Sequence, residues 1–149
     1  MQFAQVIGNE ELKRLLGQMV VDNRLSHAIL LTEDGDWGGM AIAVALAQYV
    51  NCESPDGTDS CGVCDSCHKY NKLIHPDLHF VFPVAASKDL SESEKKAPVS
   101  DYFVQAFREL LLSNPFFGEQ DLYDAIGIDN KSGIISVNEA KRIFEKLSL

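Results

Sequence analysis

The sequence lacks any apolar run approaching the ~20 residues with which a helix crosses a bilayer. Its most apolar stretch, residues 40–50, is about half that length. Its opening, MQFAQVIGNEEL, has neither a basic region nor a signal-type apolar core. No membrane association is therefore expected, and the cytoplasm is the expected compartment. Cations are also short: 13 Lys and Arg stand against 22 Asp and Glu, for a formal charge of −9 and a pI near 4.8. Such a chain is repelled as a whole by nucleic acid, so any contact with DNA is local or made through partners. There is no internal repeat and no fibrous or collagenous composition. Outside residues 52–67 there is no cysteine.

What is present suits one globular domain: 149 residues, 46% hydrophobic, with mean hydropathy near zero. The organising stretch is 26–50. Residues 27–31 read as a short buried strand, 32–39 as a loop with three glycines, and 40–50 as a helix apolar almost all round. Nucleotide-binding α/β proteins carry G-x-x-x-x-G-K-[ST] in this arrangement. Its backbone N–H groups and lysine hold phosphates, and its hydroxyl reaches magnesium. Here the first glycine position holds Glu33, the second keeps Gly38, the lysine position holds Gly39 and the hydroxyl position Met40. An arriving phosphate would meet the carboxylates of Glu33, Asp34 and Asp36, each repelling it by about 1–4 kcal/mol at ~4 Å. Two readings stay open: a phosphate loop kept in shape but unable to hydrolyse ATP, and a plain strand-to-helix turn. In either, one of these carboxylates is expected to occupy or screen the helix N-terminus.

All four cysteines lie together, Cys52, Cys61, Cys64 and Cys67, spaced C-x8-C-x2-C-x2-C in a polar segment rich in Gly, Ser and Asp. Without a signal segment disulfides are disfavoured, and metal is the reading such spacing invites. Four thiolates close a structural zinc site at Zn–S ~2.3 Å, and Gly62 permits the tight backbone a C-x2-C turn needs. An iron–sulfur cluster and metal-free thiols remain as alternatives; the ferredoxin run would continue with Cys-Pro where this chain has Asn71. His68 is read as a bystander. A zinc-binding module over 51–70 is the result.

The remainder supplies framework. Asn9 is expected to cap a helix with Glu10 and Glu11 in its first turn and a stripe of Leu12, Leu15, Leu16, Met19 and Val20, ending near Asn23. His27, His75 and His79 read as structural. His75-Pro76-Asp77 turns the chain into a second strand over 78–82, and the polar 83–99 stretch reads as a mobile loop. Ser100 is expected to cap a helix carrying Phe103, Phe107 and Leu111, closed by Asn114-Pro115, and 120–126 forms a short helical turn. Ser136 and Glu139 form a capping-box pattern before a last helix. Asp129, Asn130 and Gly133 suggest a plain turn rather than a calcium loop.

The motif order, VIGNEELKRLL, RLSHAILL, the cysteine module after the loop's helix, HPDL and IISVNEAKRI, resembles the N-terminal ATPase-like domain of bacterial DNA polymerase III clamp-loader subunits, of the gamma/tau and delta-prime types. The resemblance implies an α/β, P-loop NTPase-like (AAA+) parallel sheet flanked by helices, with a small inserted four-cysteine zinc module. It also implies zinc on Cys52, Cys61, Cys64 and Cys67. Gly39 and Met40 side with the delta-prime type, which implies a non-enzymatic subunit that takes no ATP. Its implied partners are gamma/tau and delta subunits, with the sliding clamp and primer-template DNA reached through the complex. In the family, the segment matching residues 135–149 precedes the Walker B strand, so the whole of 1–149 is read as part of a longer protein. The rivals are a gamma/tau-like nucleotide-binding subunit, a weak NTPase, and an independent zinc-ribbon nucleic-acid module, against which Glu53, Asp56, Asp59 and Asp65 argue.

Overall fold

The structure, a computed structural model, describes residues 1–33, 38–128 and 131–147. The expectations placed on Asp34, Asp36, Asp129 and Asn130 lie outside the described residues. The chain divides into two compact units, Met1–Leu78 and His79–Leu149.

The first unit is built on two helices. α1 (Glu10–Val21) follows Asn9, which adopts a left-handed backbone and makes no side-chain capping bond. Glu10 and Glu11 still set negative charge in the first turn, where the helix dipole favours it. The helix ends where Asn23 turns left-handed and Arg24 N–H donates to Met19 O at 2.8 Å. α2 (Gly39–Val50) buries Ala41, Ile42, Ala45, Leu46 and Tyr49 against Leu16 of α1 and against Phe3 and Val6 from the chain's first turn, a 3₁₀ turn over Phe3–Gln5. Lys13 lies in the apolar region with its Nζ 2.8 Å from Val6 O and 2.6 Å from Glu10 Oε1, so its charge is satisfied by a carbonyl and a carboxylate. A two-residue hairpin, Gly57-Thr58 between the bridged Asp56 and Asp59, presses its tip onto α1 at Gly17. A Cβ on Gly17 would stand 2.8 Å from Thr58 O. α3 (Asp65–Asn71) packs on α2.

The second unit wraps an aromatic cluster. Phe107, on α5 (Val104–Ser113), stacks on Phe82 at 4.4 Å and meets Phe80 and Phe117 at 4.9 and 5.7 Å. α6 (Glu119–Ala125) adds Leu122 and Tyr123. The 83–99 stretch, expected to be a loop, carries α4 (Glu92–Lys96) and buries Val84, Leu90 and Val99. A Ser91–Glu94 capping box opens α4. The capping box expected at Ser136 is not what α7 (Val137–Leu147) uses. The Glu139 carboxylate accepts from the backbone N–H and the hydroxyl of Ser100, and Ser136 Oγ is buried without a hydrogen-bond partner. Ser100 in turn does not cap α5; it opens a 3₁₀ turn over Ser100–Phe103.

The parallel sheet flanked by helices is overturned. Among the described residues there is no strand, only the isolated antiparallel bridges Asp56–Asp59 and Val84–Ile134. A strand exists only where a neighbouring backbone takes its hydrogen bonds. Residues 27–31 have none and run largely exposed, with Leu30 at 86%. In 78–82 the residue that would enter a ladder, Phe82, gives its N–H to Ser100 Oγ at 3.1 Å, and its carbonyl lies 3.1 Å from the same oxygen, whose one proton it shares with the nearer Glu139 carboxylate. A serine has taken the place of a partner strand. No described helix is long and apolar enough to cross a membrane.

Candidate metal centre

The cysteines come from three local structures. Cys52 follows the end of α2, where Asn51 is held by Ala47 O at 3.1 Å and by Tyr70 Oη at 2.8 Å. Cys61 and Cys64 bracket a turn in which Gly62 has φ +75°, a conformation side chains other than glycine's resist. Cys64 is the residue before α3, and its sulfur accepts from Cys67 N–H at 3.4 Å, so a candidate ligand doubles as a helix cap. Cys67 sits in the first turn of α3, fully buried.

The four sulfurs lie within 4.8 Å of one another. Cys61 Sγ and Cys67 Sγ are 3.9 Å apart, close to the ~3.8 Å edge of a tetrahedron with Zn–S bonds of ~2.3 Å. Backbone N–H groups point at the sulfurs: Cys61 N–H to Cys52 Sγ at 3.2 Å and Cys64 N–H to Cys61 Sγ at 3.4 Å. Such donors stabilise thiolates, the form a metal takes. The Cys61 thiol is pulled down to about 6 by the backbone N–H groups of Val63 and Cys64. Burial pushes Cys67 up to about 12 and raises Cys52 as well. One thiolate is therefore ready at neutral pH, and at least two protons leave when a cation enters. This cluster of four closely spaced thiols could hold a metal ion. His68 is exposed and is not among the grouped ligands.

The structure also locates the other sequence candidates. Glu33 Oε2 accepts from Gly39 N–H at 2.9 Å, at the first residue of α2. The carboxylate thus stands where a phosphate would meet this helix end. A cavity of about 230 Å³ beside it is lined by Leu12, Leu30, Leu31 and Ile42 together with Asn9 and Thr32, with no Lys or Arg among the described residues of its lining. Gly38, at φ +91°, precedes the helix, and Met40 is half-buried in its first turn. His75 stacks on Tyr70 at 4.5 Å and accepts from Asp77 N–H, while His27 and His79 are exposed.

Sequence reasoning missed the residues that hold the module in place. Asp59 takes the N–H groups of Phe3 and Ala4 on its two oxygens, both at 3.0 Å. Gln48, fully buried in α2, donates to Ser60 Oγ at 3.0 Å. Tyr49 Oη donates to Gly57 O at 2.9 Å. One signal was available: Gln48 is the single polar side chain short of Tyr49 in an otherwise apolar helix, and a buried amide requires a partner.

The sequence model of the family described as "DNA polymerase III, delta subunit" matches residues 8–148. The chain is 31% identical over 106 residues to DNA polymerase III subunit tau of Escherichia coli, covering 68% of this chain and 16% of that one. It is 38% identical over 58 residues to DNA polymerase III subunit delta' of Haemophilus influenzae, covering 39% of this chain and 17% of that one. To subunit delta' of Escherichia coli it is 35% identical over 57 residues, with 38% and 17% covered. The matched stretch is thus under a fifth of each relative's length. No solved structure matches the chain.

Proposed function

The chain belongs to the DNA polymerase III delta-subunit family, and from that premise we propose that it is a clamp-loader subunit of the delta-prime type, without ATPase activity, serving in DNA replication. The observation that carries the reading is the Glu33–Gly39 bond. The helix end that would bind a phosphate is occupied by the chain's own carboxylate, and the positions for lysine and hydroxyl hold Gly39 and Met40. Phosphoryl transfer depends on positioning and on neutralising charge; a site with an anion in place and no cation supplies neither. The subunit then acts as a fixed member of an assembly, with gamma/tau and delta subunits as partners and the clamp and primer-template DNA engaged through the complex.

The cysteine cluster supports a resident zinc ion on Cys52, Cys61, Cys64 and Cys67. Zinc would act there as a cross-link, all four positions being closed by protein sulfur with none left for water. Soft thiolates at tetrahedral spacing favour zinc over harder cations.

One observation favours a second reading, a gamma/tau-like nucleotide-binding subunit: the match to tau runs over 106 residues, longer than either delta' match given above. Equilibrium binding of magnesium ATP to the purified chain, with phosphate release measured in parallel, separates the two. The delta-prime reading expects no binding up to about 1 mM, roughly −4 kcal/mol. Micromolar binding with turnover would replace it by the second.

A further inference from the structure

We infer that the cysteine module is the anchor of the chain's first turn, and that Asp59 is the residue through which metal occupancy is transmitted to it. The inference rests on the zinc reading above and assigns the module a task within this chain.

The Phe3–Gln5 turn is held from two sides. From α1, Lys13 Nζ reaches Val6 O at 2.8 Å and Phe3 O at 3.4 Å. From the module, the Asp59 carboxylate receives the N–H groups of Phe3 and Ala4 at 3.0 Å each, a two-pronged bond between one anion and two successive amides. Gln2 Nε2 adds a bond to Ser60 O. The Phe3 and Ala4 N–H groups cannot be satisfied within a three-residue turn, because the first N–H groups of any helical turn lack an internal partner. The turn is thus completed by a side chain from residues 52–61.

That stretch is the long x8 arm of the cysteine pattern, and it is closed at its base by Cys52 and Cys61, joined by the Cys61 N–H to Cys52 Sγ bond. Between them the bridged Asp56–Asp59 pair projects Thr58 onto Gly17 and places Asp59 beneath the turn. A cation bound by both sulfurs fixes the two ends of this arm; without it, like-charged or protonated thiols are left to close a ten-residue loop, whose ordering opposes closure. The Lys13 side of the grip belongs to α1 and does not depend on the module. Metal removal should therefore release the Asp59 prong first, freeing the backbone of Phe3 and Ala4 while leaving the α1–α2 packing in place.

The test is amide hydrogen exchange by NMR on the full 149-residue chain, under reducing conditions, with one equivalent of zinc chloride and then with excess EDTA. Expected on chelation is a rise of about tenfold or more in exchange at Phe3 and Ala4, with Leu16 and Ile42 amides still protected. Asp59→Ala should exchange equally fast at Phe3 and Ala4 with zinc present, while still binding one zinc per chain. Asp59→Asn, keeping one acceptor, should fall between. The wild-type comparison stands even if Asp59→Ala does not fold. Zinc binding with unchanged Phe3 and Ala4 exchange overturns this inference alone; uniform loss of protection across α1 and α2 on chelation does the same, since the metal would then merely fold the unit. Failure to bind zinc overturns the inference and the zinc reading together.

Discussion

The cysteine module and the loop before α2 are both short, glycine-containing turns at helix starts, yet they hold different fractions of their chemistry. In the module four thiols converge that could hold a metal ion, and the surrounding N–H groups already point at sulfur. At the α2 start a backbone donor is present, but the side chains that would select a phosphate are absent at Gly39 and Met40, and the donor is used by Glu33. The difference teaches that a helix N-terminus accepts any anion offered, whereas four convergent thiolates suit few ions. On the reading proposed above, a helix start without the lysine turns to an internal carboxylate, whereas a metal held by four thiolates would tolerate no comparable substitution.

The most damaging way to break the comparison is Cys67→Ser. It removes the fully buried thiol of the cluster and, on the zinc reading, should abolish stoichiometric zinc in elemental analysis. Loss of a structural zinc, worth about 10–16 kcal/mol apparent in small zinc peptides, is enough to unfold the module. Next, pH sharpens it. With Cys67 up at about 12 and Cys52 also raised, zinc binding near pH 7 releases protons, so affinity rises with pH. Below about 6, where Cys61 also becomes protonated, the dependence steepens. Calorimetry in buffers of different ionisation enthalpy reads the proton count.

Gly17→Ala tests how the module is seated. Its Cβ would stand 2.8 Å from Thr58 O, and overpacking of this kind costs about 1–3 kcal/mol, seen as a lowered urea midpoint. Smallest is Glu33→Ala, which removes the anion from the α2 start and should cost about 0.5–2 kcal/mol, as helix caps do. It should confer no ATP binding, because the cation is still missing. The triple change Glu33→Gly, Gly39→Lys, Met40→Thr should gain measurable nucleotide affinity in the same titration; if Glu33→Ala alone does so, the loop was never disabled by its missing lysine.

Helices with strong periodicity were legible. α1, α2 and α6 fall within a residue or two of their expected bounds, since apolar content and spacing are local signals, although the cap expected of Asn9 is not made. α3 was missed because its start is capped by Cys64 sulfur and its place is set by the cysteine cluster. The expected strands failed for the opposite reason. An apolar run such as 27–31 has strand character only if another backbone lies alongside, and nothing in the run itself states whether one does. Glu139 shows the same at one residue. Its spacing from Ser136 promised a local cap, and burial gave its carboxylate to Ser100 instead.

By itself, the sequence singled out the four cysteines Cys52, Cys61, Cys64 and Cys67, which the structure gathers within 4.8 Å, and the absence of lysine and hydroxyl at Gly39 and Met40, because the chemistry a cluster can do resides in side-chain identity at close spacing. A carboxylate at the α2 start was expected from the sequence, and the tertiary structure identified Glu33 there; it alone decided that Ser100 rather than a strand takes the Phe82 backbone and that Asp59 grips the first turn. Each of these pairs a buried or helix-end polar group with whichever partner folding brings within 3 Å or so, and such partners are chosen by proximity in space, which sequence separation does not encode.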